Sequence, residues 1–255
     1  MHSFRPTIST RTYAMLRDAV DTALQTARMV LAIGPAGIGK TFALDLVAAE
    51  LNHGEDEVYV YTASESTSRS ETKFFHKLLF DLNVSGAGSV DPMEVFEAFI
   101  LRSYPFRGHG ARKVLVIDEC QYLQTKIVNC LKYFYDRGDM ARKYDVTRGA
   151  FGLVFVGNAF LSKGGKDTAA AYDALNTRMS RWPLGRPADL EIATLSARYF
   201  PDNDALQSEL TRAGVKWSNF REMAEAVSIA SHFAGDSAIE LTHLRAAIKV
   251  VGGKA

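Results

Sequence analysis

The sequence is poor in cysteine and proline and has no long apolar run. Two cysteines, Cys120 and Cys130, in 255 residues exclude a disulfide-built scaffold. Isolated thiols of this kind are expected to be small buried side chains. The six histidines are scattered without ligand spacing, so no structural metal is expected. No stretch approaches the roughly 20 apolar residues that a membrane span needs. The first residues, Met1 to Pro6, carry no hydrophobic signal core. A cytoplasmic location without a membrane partner is the expectation. Neither charge sign dominates: 30 Lys and Arg against 29 Asp and Glu leave a net charge of +1. That balance does not demand a nucleic-acid partner and permits only a local basic surface. With 47% hydrophobic residues, the chain has the composition of an ordinary globular protein, large enough for one α/β domain and a small satellite.

Apolar runs alternate with helical periods through the first two thirds of the chain. Residues 29–33, 57–62, 114–117 and 151–156 are continuous apolar or β-branched runs and read as strands. Residues 10–27 read as a helix capped by Ser9 or Thr10, and residues 41–51 as a second helix. Phe74, Phe75, Leu78, Leu79 and Leu82 recur at helical spacing. So do Val95, Phe96, Phe99 and Ile100 after the Asp91-Pro92 start, and Leu123, Ile127, Val128, Leu131 and Phe134 further on. Tyr133 to Tyr135 are read as helix packing. Strands apolar on both faces and separated by helices mean a parallel sheet covered on both sides. After Pro187 only helical periods remain, at about 189–200, 203–213, 219–233 and 242–251. The expected architecture is an α/β domain over residues 1–187 and a small all-helical domain over 188–255.

The strand at 29–33 runs directly into Gly34, Pro35, Ala36, Gly37, Ile38, Gly39, Lys40 and Thr41, and Phe42 opens the following helix. The G-x-x-x-x-G-K-[ST] pattern between a strand and a helix is a phosphate-binding loop. Its backbone N–H groups and the positive end of the helix dipole favour a polyphosphate. Gly34, Gly37 and Gly39 allow turns that a Cβ would forbid. Lys40 is expected to reach the β- and γ-phosphates and Thr41 to hold Mg²⁺.

The strand at 114–117 ends in Asp118 and Glu119. Parallel strands deliver their C-terminal ends to one sheet edge, so Asp118 and the loop are expected to converge across the intervening sequence. Asp118 is a second candidate Mg²⁺ ligand. Glu119 is the candidate base that orients and deprotonates an attacking water. The strand at 151–156 leads to Gly157 and Asn158, and the amide of Asn158 can hold a water or a γ-phosphate oxygen.

In this order, the loop, the Asp-Glu strand, the strand ending in Asn158 and the helical C-terminal segment resemble an AAA+ ATPase. The resemblance covers nearly the whole chain and implies Mg²⁺-dependent hydrolysis of ATP to ADP and phosphate. It implies a sensor role for Asn158 and a nucleotide-sensing role for Arg221, which stands in Ser218-Asn219-Phe220-Arg221. It also implies an arginine that completes a neighbouring protomer's site; Arg178 and Arg181 both fit that position. Self-assembly into a ring or helical filament follows from the same resemblance.

Within that family, Gly34 to Thr41 and Val116 to Leu123 look most like the Mu B and Tn-type transposition target selectors, and like the related bacterial general-secretion and origin-recognition ATPases. This implies binding to double-stranded DNA and recruitment of a transposase. The residues before Gly34 are fewer than the roughly 40 below which a domain rarely folds alone. DNA contact is therefore expected from the core or the helical segment. By analogy with filament-forming relatives, Arg69, Lys73, Arg142 and Lys143 are the candidates, touching phosphates without reading sequence. Two rivals share the nucleotide site: a replication initiator or helicase loader, and a secretion or signalling ATPase that needs no DNA.

Overall fold

Five parallel strands form one sheet in the order β2-β3-β4-β1-β5. The strands are β1 (Met29–Ile33), β2 (Glu57–Thr62), β3 (Lys113–Asp118), β4 (Gly152–Gly157) and β5 (Met179–Pro183). The computed structural model describes residues 7–54, 56–85, 88, 91–101, 112–141, 151–158 and 179–253. Every residue of β4, and all but one in each of β1 and β3, is buried. This is why those strands read as unbroken apolar runs. The helices between them are α1 (Arg11–Thr26), α2 (Lys40–Leu51), α3 (Glu71–Asp81), α4 (Pro92–Leu101) and α5 (Thr125–Ala141). Thr10 is the cap of α1, since its Oγ1 accepts from the Tyr13 N–H at 3.1 Å. Asp91 Oδ1 caps α4 by accepting from Met93 and Glu94.

β5 is an element that sequence reading missed. It is a short edge strand, Met-Ser-Arg-Trp-Pro, in which only Met179 is buried. Its apolar signal is diluted by Ser180 and Arg181, and its terminal proline would argue against a central strand. An edge position tolerates both. β5 pairs with β1 from Met29↔Met179 to Ile33↔Pro183.

Compactness divides the chain into two units. One comprises Met15–Gly34 and Lys40–Leu184; the other comprises the described part of Met1–Ala14, Pro35–Gly39 and Gly185–Ala255. In the sheet unit, Phe75, Phe96 and Phe134 bring α3, α4 and α5 together, with ring centroids 5.1 to 5.6 Å apart. Burying each such side chain contributes about 1.5–3 kcal/mol. Phe134 and Tyr135 are core residues, and the Tyr135 hydroxyl donates to the Ala27 carbonyl at 3.0 Å, whereas Tyr133 is half exposed. On β4, Gly152 lies so close to α1 that a Cβ there would sit 2.6 Å from the Ala23 carbonyl carbon.

The other unit contains α6 (Asp189–Tyr199), α7 (Asp204–Trp217), α8 (Phe220–Ala234) and α9 (Leu241–Gly252). Ile192, Leu195, Leu206, Leu210, Met223, Ala230, Leu244 and Ala247 form its core. Asn203 and Asn219 cap α7 and α8 with their side-chain oxygens. Among the described residues no helix is long and apolar enough to cross a membrane.

Candidate functional site

Gly34 follows β1 and donates its N–H to the Gly157 carbonyl at 3.0 Å, which ties the start of the loop to the tip of β4. Gly37 and Gly39 both take left-handed backbone angles, φ +78° and +86°. L side chains rarely adopt such angles, and left-handed residues of this kind are the backbone ingredient of anion-binding nests. Lys40 then begins α2. Its side chain is almost fully buried, and burying an ammonium is costly unless it is paired. Here Nζ donates to the Gly34 carbonyl at 3.0 Å and to Asn158 Oδ1 at 2.6 Å.

Thr41, next in sequence, donates its hydroxyl to Asp118 Oδ2 at 2.6 Å. The loop and the end of β3 therefore meet across 77 positions. Asp118 is fully buried. Burial raises its carboxyl above the usual carboxylate range; hydrogen bonds from Thr41 and the Glu119 N–H pull it back, Glu119's charge adds to the rise, and Lys40 opposes it. A hydroxyl and a carboxylate oxygen side by side are hard donors that suit Mg²⁺. Thr41 and Asp118 thus fit the metal that the loop pattern implies.

Glu119 leaves the strand with φ +54°, a left-handed angle rare outside glycine. Its N–H turns back onto Asp118 Oδ1 at 2.8 Å. Residues Cys120–Tyr122 continue as a 3-10 turn. From this turn Gln121 donates through Nε2 to Glu119 Oε2 and accepts through Oε1 from the Asn158 N–H at 3.1 Å. Gly157 makes the approach possible, because a Cβ there would collide with Gln121 Oε1 and lie 2.8 Å from Cys120 Sγ. Sequence reading missed Gln121. Its only signal was its position two residues after the acidic pair.

Lys40, Thr41, Asp118, Glu119 and Asn158 are thus gathered into one chain of hydrogen bonds. It runs from Thr41 to Asp118, to Glu119, through Gln121 to Asn158, and ends at Lys40, the residue before Thr41. Pro35 and Ala36 are exposed, Ile38 is buried, and Phe42 is exposed on the first turn of α2.

The remaining candidates lie on other segments of the chain. In the helical unit, the Phe220 and Arg221 N–H groups both donate to the Gly37 carbonyl, at 3.0 and 3.3 Å, and the Arg221 side chain is exposed. Arg181 is exposed on β5, in register with Leu31. Arg178, Arg142 and Lys143 lie outside the described residues. Arg69 is exposed and paired with Glu65 at 2.8 Å, and Lys73 is exposed on the first turn of α3.

A profile described as an AAA domain matches residues 22–163. No curated protein matches the sequence significantly. Several solved structures share the fold. The ADP form of the ORC2 protein of Aeropyrum pernix is 12% identical with a TM-score of 0.67, and the match covers 98% of this chain and 71% of that one. The ORC1 protein of the same organism, in complex with DNA, is 15% identical with a TM-score of 0.62, covering 98% and 68%. Domain III of the replication initiation protein DnaA from Thermotoga maritima is 13% identical with a TM-score of 0.58, covering 96% and 94%. A matched family profile, a parallel sheet with its phosphate loop after β1, and acids at the end of β3 lead to one conclusion: the chain belongs to the AAA domain family.

Proposed function

We propose that this protein is an Mg²⁺-dependent ATPase that acts as an assembly switch on duplex DNA, in the manner of a replication initiator. The observation that carries the chemistry is the chain of hydrogen bonds joining Thr41, Asp118, Glu119, Gln121, Asn158 and Lys40, whose two ends are consecutive residues. Lys40 and the loop N–H groups bind the phosphates. Thr41 and Asp118 would hold Mg²⁺, which neutralises phosphate charge when bound. Glu119 accepts a proton from the attacking water as its oxygen bonds to the γ-phosphorus and the bond to ADP breaks. Asn158 orients that water or a γ-phosphate oxygen. Residues 1–187 serve as the nucleotide-binding core and 188–255 as the helical segment that carries Arg221.

Transposition stands first on sequence wording alone. The structural neighbours favour the rival reading, since their names are those of origin-recognition and initiation proteins, one of them in complex with DNA. DNA contact at Arg69, Lys73, Arg142 and Lys143, and completion of the site by Arg178 or Arg181 of a neighbouring protomer, are parts of this proposal. An arginine supplied in this way is worth roughly 10³ to 10⁵ in rate. Isolated protomers are then slow, and DNA stimulates turnover by assembling them. The test is ATPase rate per protomer against protein concentration, with and without random duplex, alongside gel shifts with ATP, ADP or no nucleotide. A rate flat in both series defeats the assembly switch. Full turnover without any DNA shift leaves the DNA-independent ATPase.

A further inference from the structure

Gln121 occupies a position that no motif assigns. It lies on the 3-10 turn between β3 and α5, half-buried, and touches two of the residues on which hydrolysis depends. Its amide has a defined orientation. The Asn158 backbone N–H can only donate, so Oε1 must face it; the Glu119 carboxylate, when ionised, can only accept, so Nε2 must face that. A glutamine fits this bridge because it offers one acceptor and one donor at the end of a chain long enough to span the gap. Alanine offers neither, and glutamate offers only acceptors.

The surroundings are shaped for the bridge. Gly157 has no Cβ where one would strike Gln121 Oε1. The left-handed turn at Glu119 brings its carboxylate back beside a residue only two positions ahead. The far side of Asn158 is held by Lys40, so three hydrogen bonds link the candidate base to the phosphate-binding lysine.

We propose that Gln121 is a positioning residue that fixes the Glu119 carboxylate to the tip of β4. It holds Oε2 and leaves Oε1 for the attacking water, so one side chain sets the base and Asn158 in mutual register. This rests on the ATPase reading above. It predicts an effect on the chemical step and not on nucleotide capture, because Gln121 touches the base and the β4 tip, whereas the phosphates are held by Lys40 and the loop.

The experiment compares wild type, Gln121→Ala and Gln121→Glu in two measurements. The first is steady-state ATP hydrolysis with separate kcat and KM. Losing one hydrogen bond to a charged group at the reacting centre lowers kcat in Gln121→Ala by roughly 10- to 100-fold, with KM within about threefold of wild type. The second measurement is hydrogen exchange at the Asn158 amide, which needs no turnover. Exchange is faster in Gln121→Ala and close to wild type in Gln121→Glu, which keeps the acceptor. Gln121→Glu nevertheless stays slow in kcat, since it has no donor for Glu119. An unchanged or raised kcat in either variant, or Asn158 exchange that ignores Gln121→Ala, overturns the assignment. Absence of turnover in the wild type sinks the ATPase reading instead, and the exchange measurement still decides the bridge.

Discussion

The side chain of Asn219 fills the space into which a β-carbon on residue 37 would project, and such an atom would lie 2.5 Å from Asn219 Cγ. Asn219 is held there because its Oδ1 caps α8, accepting from Arg221 N–H at 2.9 Å and Glu222 N–H at 3.4 Å. The Gly37 carbonyl in turn accepts from the Phe220 and Arg221 N–H groups. The first donors of α8 are therefore engaged by the loop backbone.

Gly37→Ala meets two obstacles, the left-handed φ of +78° and the collision with Asn219. The first costs about 1–2 kcal/mol and the second a further 1–3 kcal/mol. Denaturant unfolding of Gly37→Ala is expected to show both. In an Asn219→Gly background only the backbone cost should remain, a non-additivity that a double-mutant cycle measures directly. Strict additivity would mean that the two residues do not meet in solution.

Glu119→Gln should bind ATP with near wild-type affinity and hydrolyse it about 10²- to 10⁴-fold more slowly, the usual worth of a positioned base. Equilibrium binding of a fluorescent ATP analogue and single-turnover hydrolysis separate the two effects. Wild-type turnover would remove Glu119 from its role.

Asp118 is fully buried, and burial raises its carboxyl, so the ionised side chain is disfavoured in the fold. Asp118→Asn relieves that penalty while keeping an acceptor for the Thr41 hydroxyl or the Glu119 N–H. In magnesium-free, nucleotide-free buffer the variant should melt at a higher temperature than wild type. Added Mg²⁺ and ATP should stabilise wild type strongly and the variant little. Calorimetric scans in the two buffers check both signs.

Gly152→Ala pushes a methyl group towards the α1 backbone at Ala23, where no flexible side chain can yield. Overpacking of this kind costs about 1–3 kcal/mol, and the rigid neighbour places Gly152→Ala at the upper end. The expected readout is a lower urea midpoint with an unchanged m-value.

Arg178→Ala and Arg181→Ala can be told apart by mixing. A protomer lacking the arginine that acts in trans keeps an intact site, and a Glu119→Gln protomer keeps an intact arginine. Mixing Glu119→Gln with the correct arginine variant should recover activity that neither has alone, and the other arginine variant should show no such complementation.

Much of the site was legible because its parts are short, local patterns. The loop from Gly34 to Thr41 follows a strand run, and Asp118-Glu119 closes another; the parallel topology alone then makes Thr41 and Asp118 neighbours. Asn158 was legible for the same reason, as a polar residue at a strand tip. Gln121 was not, because its importance arises from the missing side chain at Gly157, a relation between two chain segments that no local period encodes. β5 escaped because an edge strand needs little apolar character, and the grouping of Pro35–Gly39 with the helical segment is a property of packing.

The strand order has a consequence for birth on the ribosome. β1 is made before both of its neighbours, β4 and β5, and Ile33 pairs with Gly157 and Pro183. At 5–20 residues per second, the ribosome needs roughly 6 to 25 s to pass from Ile33 to Gly157. Until β4 emerges, the nascent strand that bears the phosphate loop waits unzipped, an apolar ribbon that chaperones shelter and that a stalled ribosome leaves exposed.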